Sequence, residues 1–176
     1  MRMVEVTMDI RTKLKLKIYG EQVLRQKAEP VTEFGEPLIE LCKEMYEIMH
    51  EKRGIGLAAP QVGVSKRFFI VEIEKDKNQI VLANPTIIYQ SNDCEIMEEG
   101  CLSLPGVWAD VVRPHSIIMQ GQDLQGQMIQ ITASGLLARA LLHEYDHLEG
   151  KLFIDHLKEE QLKEFESALK KLSKRK

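Results

Sequence analysis

His143-Glu144-Tyr145-Asp146-His147 is the stretch on which the reading of this chain turns. On a helix, residues four apart share a face, so both histidines reach one divalent ion while Glu144, one step round, reaches water at that ion. The preceding Leu136-Leu137-Ala138-Arg139-Ala140-Leu141-Leu142 is apolar nearly all round, which marks a buried helix. Buried imidazoles and a buried carboxylate are costly unless paired or metal-bound, so a ligand role outweighs two unrelated surface histidines. The pattern predicts metal-assisted hydrolysis with a built-in base.

A catalytic site of this kind needs a third protein ligand and one open position. In one large class of zinc proteases a histidine falls six residues after the second of the pair; here that position is Phe153. Glu166 has a suitable distance downstream, but Leu162, Phe165, Leu169 and Leu172 form an apolar face that leaves Glu166 on the solvent side. Upstream, Glu99-Gly100-Cys101-Leu102-Ser103 offers a lone cysteine in a short connection between strand-like runs. Further upstream lies Gly54-Ile55-Gly56-Leu57-Ala58-Ala59-Pro60-Gln61. Its glycines follow a helix and lack both the third glycine of a dinucleotide loop and the Gly-Lys-Ser/Thr ending of a P-loop, which argues against nucleotide binding. They read instead either as a plain turn or as small residues that let backbone approach a substrate, with Gln61 as an amide donor.

The three segments GIGLAAPQ, EGCLS and HEYDHLEG, in this order, resemble the signature motifs of peptide deformylases, the metalloenzymes that remove the formyl group from the N-terminal formyl-methionine of new bacterial proteins. The resemblance runs from about Leu16, through Leu24-Arg25 and Ala28-Glu29-Pro30-Val31, to the C-terminal helix. It leaves out only the first dozen residues. It implies that Cys101, His143 and His147 hold one divalent ion, that Glu144 moves the proton, and that the Gln61 amide and the Leu102 N–H face the developing oxyanion. One thiolate with two imidazoles suits Fe²⁺ and Zn²⁺ alike; the resemblance implies Fe²⁺ in the cell, with zinc, nickel or cobalt an alternative in purified protein.

Ala140, Arg139 and Leu136 lie three, four and seven residues before His143 and share its face, so they are expected to line a methionine pocket, joined by Ile55 and Gly56, with the Arg139 stem inside and its charge at the rim. Glu99 and Arg113 are expected to pair near Cys101, and Asp146 to orient a ligand or meet an arginine; for each, an ordinary surface charge is an equal alternative. Trp108, the single tryptophan, follows the cysteine motif where many relatives carry a basic residue, which implies different contacts to the peptide beyond methionine. Two rival readings remain: a protease using Glu166, and a closed structural site of Cys94, Cys101, His143 and His147 with no place for water.

Composition fits one domain. The 176 residues suffice for a sizeable core, and the net charge of −3 gives no general reason for nucleic-acid binding. Positive charge gathers over Lys170-Lys171-Leu172-Ser173-Lys174-Arg175-Lys176, suited to a helix C-terminus; by resemblance, that helix docks on the ribosome. Three cysteines do not make a disulfide framework, and no secretory or membrane-spanning segment is apparent, so a cytoplasmic location is expected. Residues 1–13 read as an extension, with Met3 or Met8 as alternative starts, and 14–176 as the catalytic domain.

Periodicity predicts a helix over Glu36–Lys52 with Cys42 on its core stripe, and strands at Arg67–Glu74, Gln79–Ala83, Thr86–Gln90 after an Asn84-Pro85 turn, and Val107–Val112. A hairpin of Ser116–Gln122 and Gln127–Thr132 follows, then the metal helix, capped by Ser134 and stopped at Gly150, and a last helix over Lys158–Lys174. Strand runs with segregated helices indicate an α+β fold: antiparallel sheets packed around a buried metal-binding helix, with one helix N-terminal and one C-terminal.

Overall fold

The computed structural model describes residues 14–174, so the extension assigned to 1–13 lies outside the described residues, as do Arg175 and Lys176. Helix α1 (Glu36–Glu51) is followed by strands β1 (Gly56–Ala58), β2 (Phe68–Val71), β3 (Ile80–Gln90), β4 (Cys94–Gly100), β5 (Trp108–Pro114), β6 (Ser116–Gln122) and β7 (Met128–Ser134), then helices α2 (Gly135–Leu148) and α3 (Glu159–Ser173). Five strands form an antiparallel sheet in the order β1-β2-β3-β6-β7, and β4 pairs with β5 as a separate hairpin. The α+β class and antiparallel pairing agree with the sequence expectation.

Strand β2 explains how the layers assemble. Its four residues are all apolar and all buried, as a strand covered on both faces requires. Phe68 and Ile70 point into the cluster of Leu38, Cys42, Met45 and Met49 from α1. Phe69 and Val71 point the other way, to Ala138, Leu141 and Leu142 of α2. The sheet is thereby held between two helices. A third cluster joins Val107, Ala109 and Val111 beside the hairpin to Phe153, Leu169 and Leu172, fastening α3. Burial pushes the Cys42 thiol up to about 12, as expected of a core sulfhydryl.

Three local expectations are corrected. Asn84-Pro85 is no turn: β3 runs through it, with the register against β6 shifting between Ala83 and Thr86. Proline has no ladder donor and is tolerated at such an irregularity. Asn84 adopts φ 50°, its side chain bonding Val31 through both backbone groups (2.8 and 2.9 Å) and reaching Gln122 at 2.7 Å. Second, β1 and β4 are strands where the sequence suggested connections. A three-residue strand gives no measurable alternation, and β4 buries Glu99 where an apolar residue marks most strands. Third, Ser134 occupies the N-cap of α2, but its side chain makes no capping bond. Gly150, at φ 70°, does end that segment, as anticipated.

Asn84→Ala removes three side-chain hydrogen bonds and puts a residue less tolerant of positive φ at the irregularity. It should lower unfolding free energy by about 2–3 kcal/mol. Asn84→Gly relieves the backbone but not the bonds and should recover about 1 kcal/mol of that loss. Urea denaturation of both variants tests this; equal destabilisation would mean that backbone strain has no part in it.

Candidate metal and hydrolytic site

The fold brings together residues from three separate segments. Residues 54–61 include β1, at the open edge of the sheet, and the turn after it; residues 99–102 leave the end of β4; and α2 presents one face of its second half. The Cys101 sulfur and one ring nitrogen each of His143 and His147 all lie within 4.8 Å of one another. Cys101 Sγ is 3.3 Å from His147 Nε2, and the two imidazoles meet edge to face. This donor set fits a four-coordinate divalent ion: three protein ligands leave one position for water or substrate, as a catalytic rather than structural site requires.

Glu99 organises the surroundings. Its carboxylate accepts from Arg113 at 2.7 and 2.9 Å, from Arg139 at 2.7 Å and from His143 Nδ1 at 2.9 Å. The last bond leaves Nε2 of that ring for a ligand. Arg113 also donates to Asp146 at 2.7 Å, and Asp146 meets His156 at 2.7 Å. Burial pushes Glu99 up, but the Arg113 and His143 bonds outweigh it and hold its carboxyl well below the usual range. For His143, burial lowers and the Cys101 and Glu99 bonds raise, leaving the imidazole well above its ordinary value. Burial, reinforced by His143, holds His147 well below it.

Glu144 is 4% exposed, and its Oε2 has no hydrogen-bond partner. Burial pushes it up to about 7, where a carboxyl both takes and gives protons near neutrality. Gly56 lies directly over it: a Cβ at that position would collide with the Glu144 carboxylate. Gln61 is held by accepting from the Ala58 N–H at 2.8 Å, while its amide donates toward Cys101 Sγ (3.4 Å) and Ser103 Oγ (3.2 Å).

These groups line one cavity of about 770 Å³, whose walls include Ile55, Gly56, Gln61, Leu102, Leu136, Arg139 and Ala140 as well as Cys101, His143 and Glu144. Of the residues expected to hold the metal, carry the chemistry or bind methionine, all border it except His147, which completes the ligand cluster. Arg139 corrects its expectation. Its guanidinium is buried on Glu99, the Val111 carbonyl (2.8 Å) and the Glu95 carbonyl (2.7 Å), because an acceptor cluster inside outcompetes water at the rim. Glu166 is exposed, and Cys94 is an exposed thiol facing the Asn92 carbonyl at the far end of the hairpin, opposite Pro114. Cys94 lies six residue steps along the strand from Gly100, roughly 20 Å, so neither rival ligand joins the cluster.

The sequence reading missed a support. Buried Glu72 takes His50 on one oxygen and Gln79 (2.8 Å) and the Asp76 N–H (3.1 Å) on the other. Its own N–H donates to the Ile55 carbonyl at 2.8 Å, pinning the chain that enters β1. A lone acid ending the apolar run Phe68–Val71 was the available signal.

A buried base beside a Cys-His-His cluster, at the floor of an apolar cavity, defines a metal-dependent hydrolase. A family model described as polypeptide deformylase matches residues 13–163. A peptide deformylase from Endomicrobium trichonymphae is 44% identical over 92% of this chain and 96% of its own length, and one from Halothermothrix orenii is 46% identical over 81% and 92%. Among solved structures, a plant peptide deformylase superposes with TM-score 0.87 at 39% identity, covering 92% of this chain and 89% of that one. The Thermus thermophilus peptide deformylase gives 0.85 at 38% over 90% and 96%. The chain belongs to the polypeptide deformylase family, metal-dependent hydrolases that remove the N-formyl group from nascent peptides.

Glu99→Ala strands two buried guanidinium groups and should cost roughly 3–5 kcal/mol in stability, read by urea denaturation. Glu99→Gln keeps the shape but releases His143 Nδ1, and should weaken metal affinity about 10–100-fold. Metal titration that finds the Gln variant equal to the parent would remove Glu99 from this role.

Proposed function

We propose that the chain deformylates N-terminal formyl-methionine, releasing formate, with Glu144 as the proton carrier. The observation that carries this assignment is a dry carboxylate with one unpartnered oxygen beside the Cys101, His143 and His147 cluster. Those three residues hold the ion, which when bound acidifies water and polarises the formyl carbonyl. Glu144 takes a proton from the attacking water and delivers it to the departing nitrogen; the formyl C–N bond breaks, leaving formate and a free amine. The Gln61 amide and the Leu102 N–H stabilise negative charge on the formyl oxygen. Gln61 is preorganised for this, since its carbonyl oxygen is already engaged at Ala58.

The methionine side chain occupies the part of the cavity walled by Leu136, Ala140 and the Arg139 stem on α2, with Ile55 and Gly56 along the edge strand. Fe²⁺ is the ion in the cell, and zinc, nickel or cobalt can replace it in purified protein, since the donor set accommodates each. Residues 14–176 act as one catalytic domain, with 1–13 as an extension. The enzyme works in the cytoplasm, in keeping with the absence of any helix long and apolar enough to cross a membrane among the described residues. Exposed Lys170 and Lys171 in the last turn of α3 supply a basic end for docking on the ribosome.

Glu144→Gln retains shape but cannot accept the water proton. It should keep fold and metal content while formate release from formyl-Met-Ala-Ser falls about 10²–10⁴-fold; near-normal turnover would overturn the assignment. Ala140→Phe should fill the methionine slot and reduce kcat/KM for formyl-Met peptides about tenfold to hundredfold relative to formyl-Ala peptides. Equal losses on both substrates would place the slot elsewhere.

A further inference from the structure

The wall of the cavity formed by the β4–β5 hairpin carries a feature that neither the metal chemistry nor the methionine slot uses. On the outer face of the hairpin, Gly100 pairs with Trp108 and Glu98 pairs with Asp110. The Trp108 indole lies across Gly100, where a Cβ would come within 2.5 Å of the ring, so the missing side chain seats the ring in one place. Though seated, the indole is 59% exposed, and both Trp108 and Glu98 line the cavity. Glu98 and Asp110 face each other directly with no cation paired to either among the described residues. Like charges in that register oppose strand pairing. The hairpin therefore accepts an unfavourable contact beside a fixed aromatic face at the mouth of a site that takes a peptide.

We infer that Trp108, Glu98 and Asp110 form a seat for a basic side chain of the substrate in the residues following methionine. The indole face attracts a lysine or arginine head, tryptophan being the strongest side chain for this, and the two carboxylates add opposite charge on the same surface. Lys52 and Arg53, on the turn after α1, border the same cavity, so a cation is drawn to the hairpin wall and not to the mouth as a whole. The inference rests on the deformylation reading and assigns it a preference beyond the first residue.

Formate release is measured on the metal-loaded enzyme with formyl-Met-Ala-Ser and with the same peptide carrying Lys or Glu at its second or third position. Lys should exceed Glu in kcat/KM by about fivefold to twentyfold at one of the two positions at low salt, and the gap should shrink as salt is raised. The Glu98→Gln/Asp110→Asn double variant should bring the ratio to within about twofold of one while raising the melting temperature, because the opposed charges are gone. Trp108→Leu, which keeps an apolar wall, should reduce the ratio with the carboxylates intact. A wild-type ratio near one at both positions, or a ratio unchanged in the double variant, overturns the inference while leaving deformylation standing. Failure of all formylated peptides to release formate overturns the deformylation reading and the inference with it.

Discussion

The Glu99 carboxylate is the contact on which the site depends. It comes from β4, grips Arg113 across the hairpin and Arg139 on α2, and fixes the ring of His143. Hairpin and helix belong to different layers, and the bonds from Arg113 to Asp146 and from Arg139 to the Val111 and Glu95 carbonyls join the Glu99 contacts in setting their distance. Removing any one partner leaves charge stranded in a place from which water is excluded, which makes the network costly to break even where its net contribution is small. Asp146 extends it to His156, so two carboxylates face two guanidinium groups between α2, the hairpin and the segment leading to α3. The metal ligands inherit this rigidity, Cys101 by following β4 and the histidines by riding on α2.

The chemistry was legible in the sequence because it demands particular side chains at fixed spacings. Two histidines four apart with an intervening glutamate admit few readings, and Cys101 and Gln61 sit in short motifs whose order matches. The helices and the later hairpin were legible because their apolar periods are long. What escaped depends on partners far apart in the chain. The burial of the Arg139 charge follows from Glu99 and from two carbonyls of the hairpin, none of which periodicity on α2 reveals. The passage of β3 through Asn84-Pro85 depends on Asn84 reaching back to Val31, 53 residues away. Strand β1 is three residues long and exists only because β2 offers it an edge.

Strand β2 and Glu72 connect the core to the site. The same run that is buried on both faces continues into a carboxylate that holds His50 at the end of α1 and, through its backbone, Ile55 at the entrance to the cavity. Packing of α1 against the sheet is thus coupled to the position of the substrate wall.

The close approach of Gly56 to Glu144 has a temporal side. Many hydrolases dry their base by folding a loop over it once substrate has arrived, and turnover then waits on that motion. Here the cover is main chain of a strand hydrogen-bonded into a sheet, Gly56 opposite Val71 and Leu57 opposite Ile70. The carboxylate is shielded with no substrate present to bring the cover into place. A base covered in this way is buried by the sheet itself and does not depend on a loop folding over it.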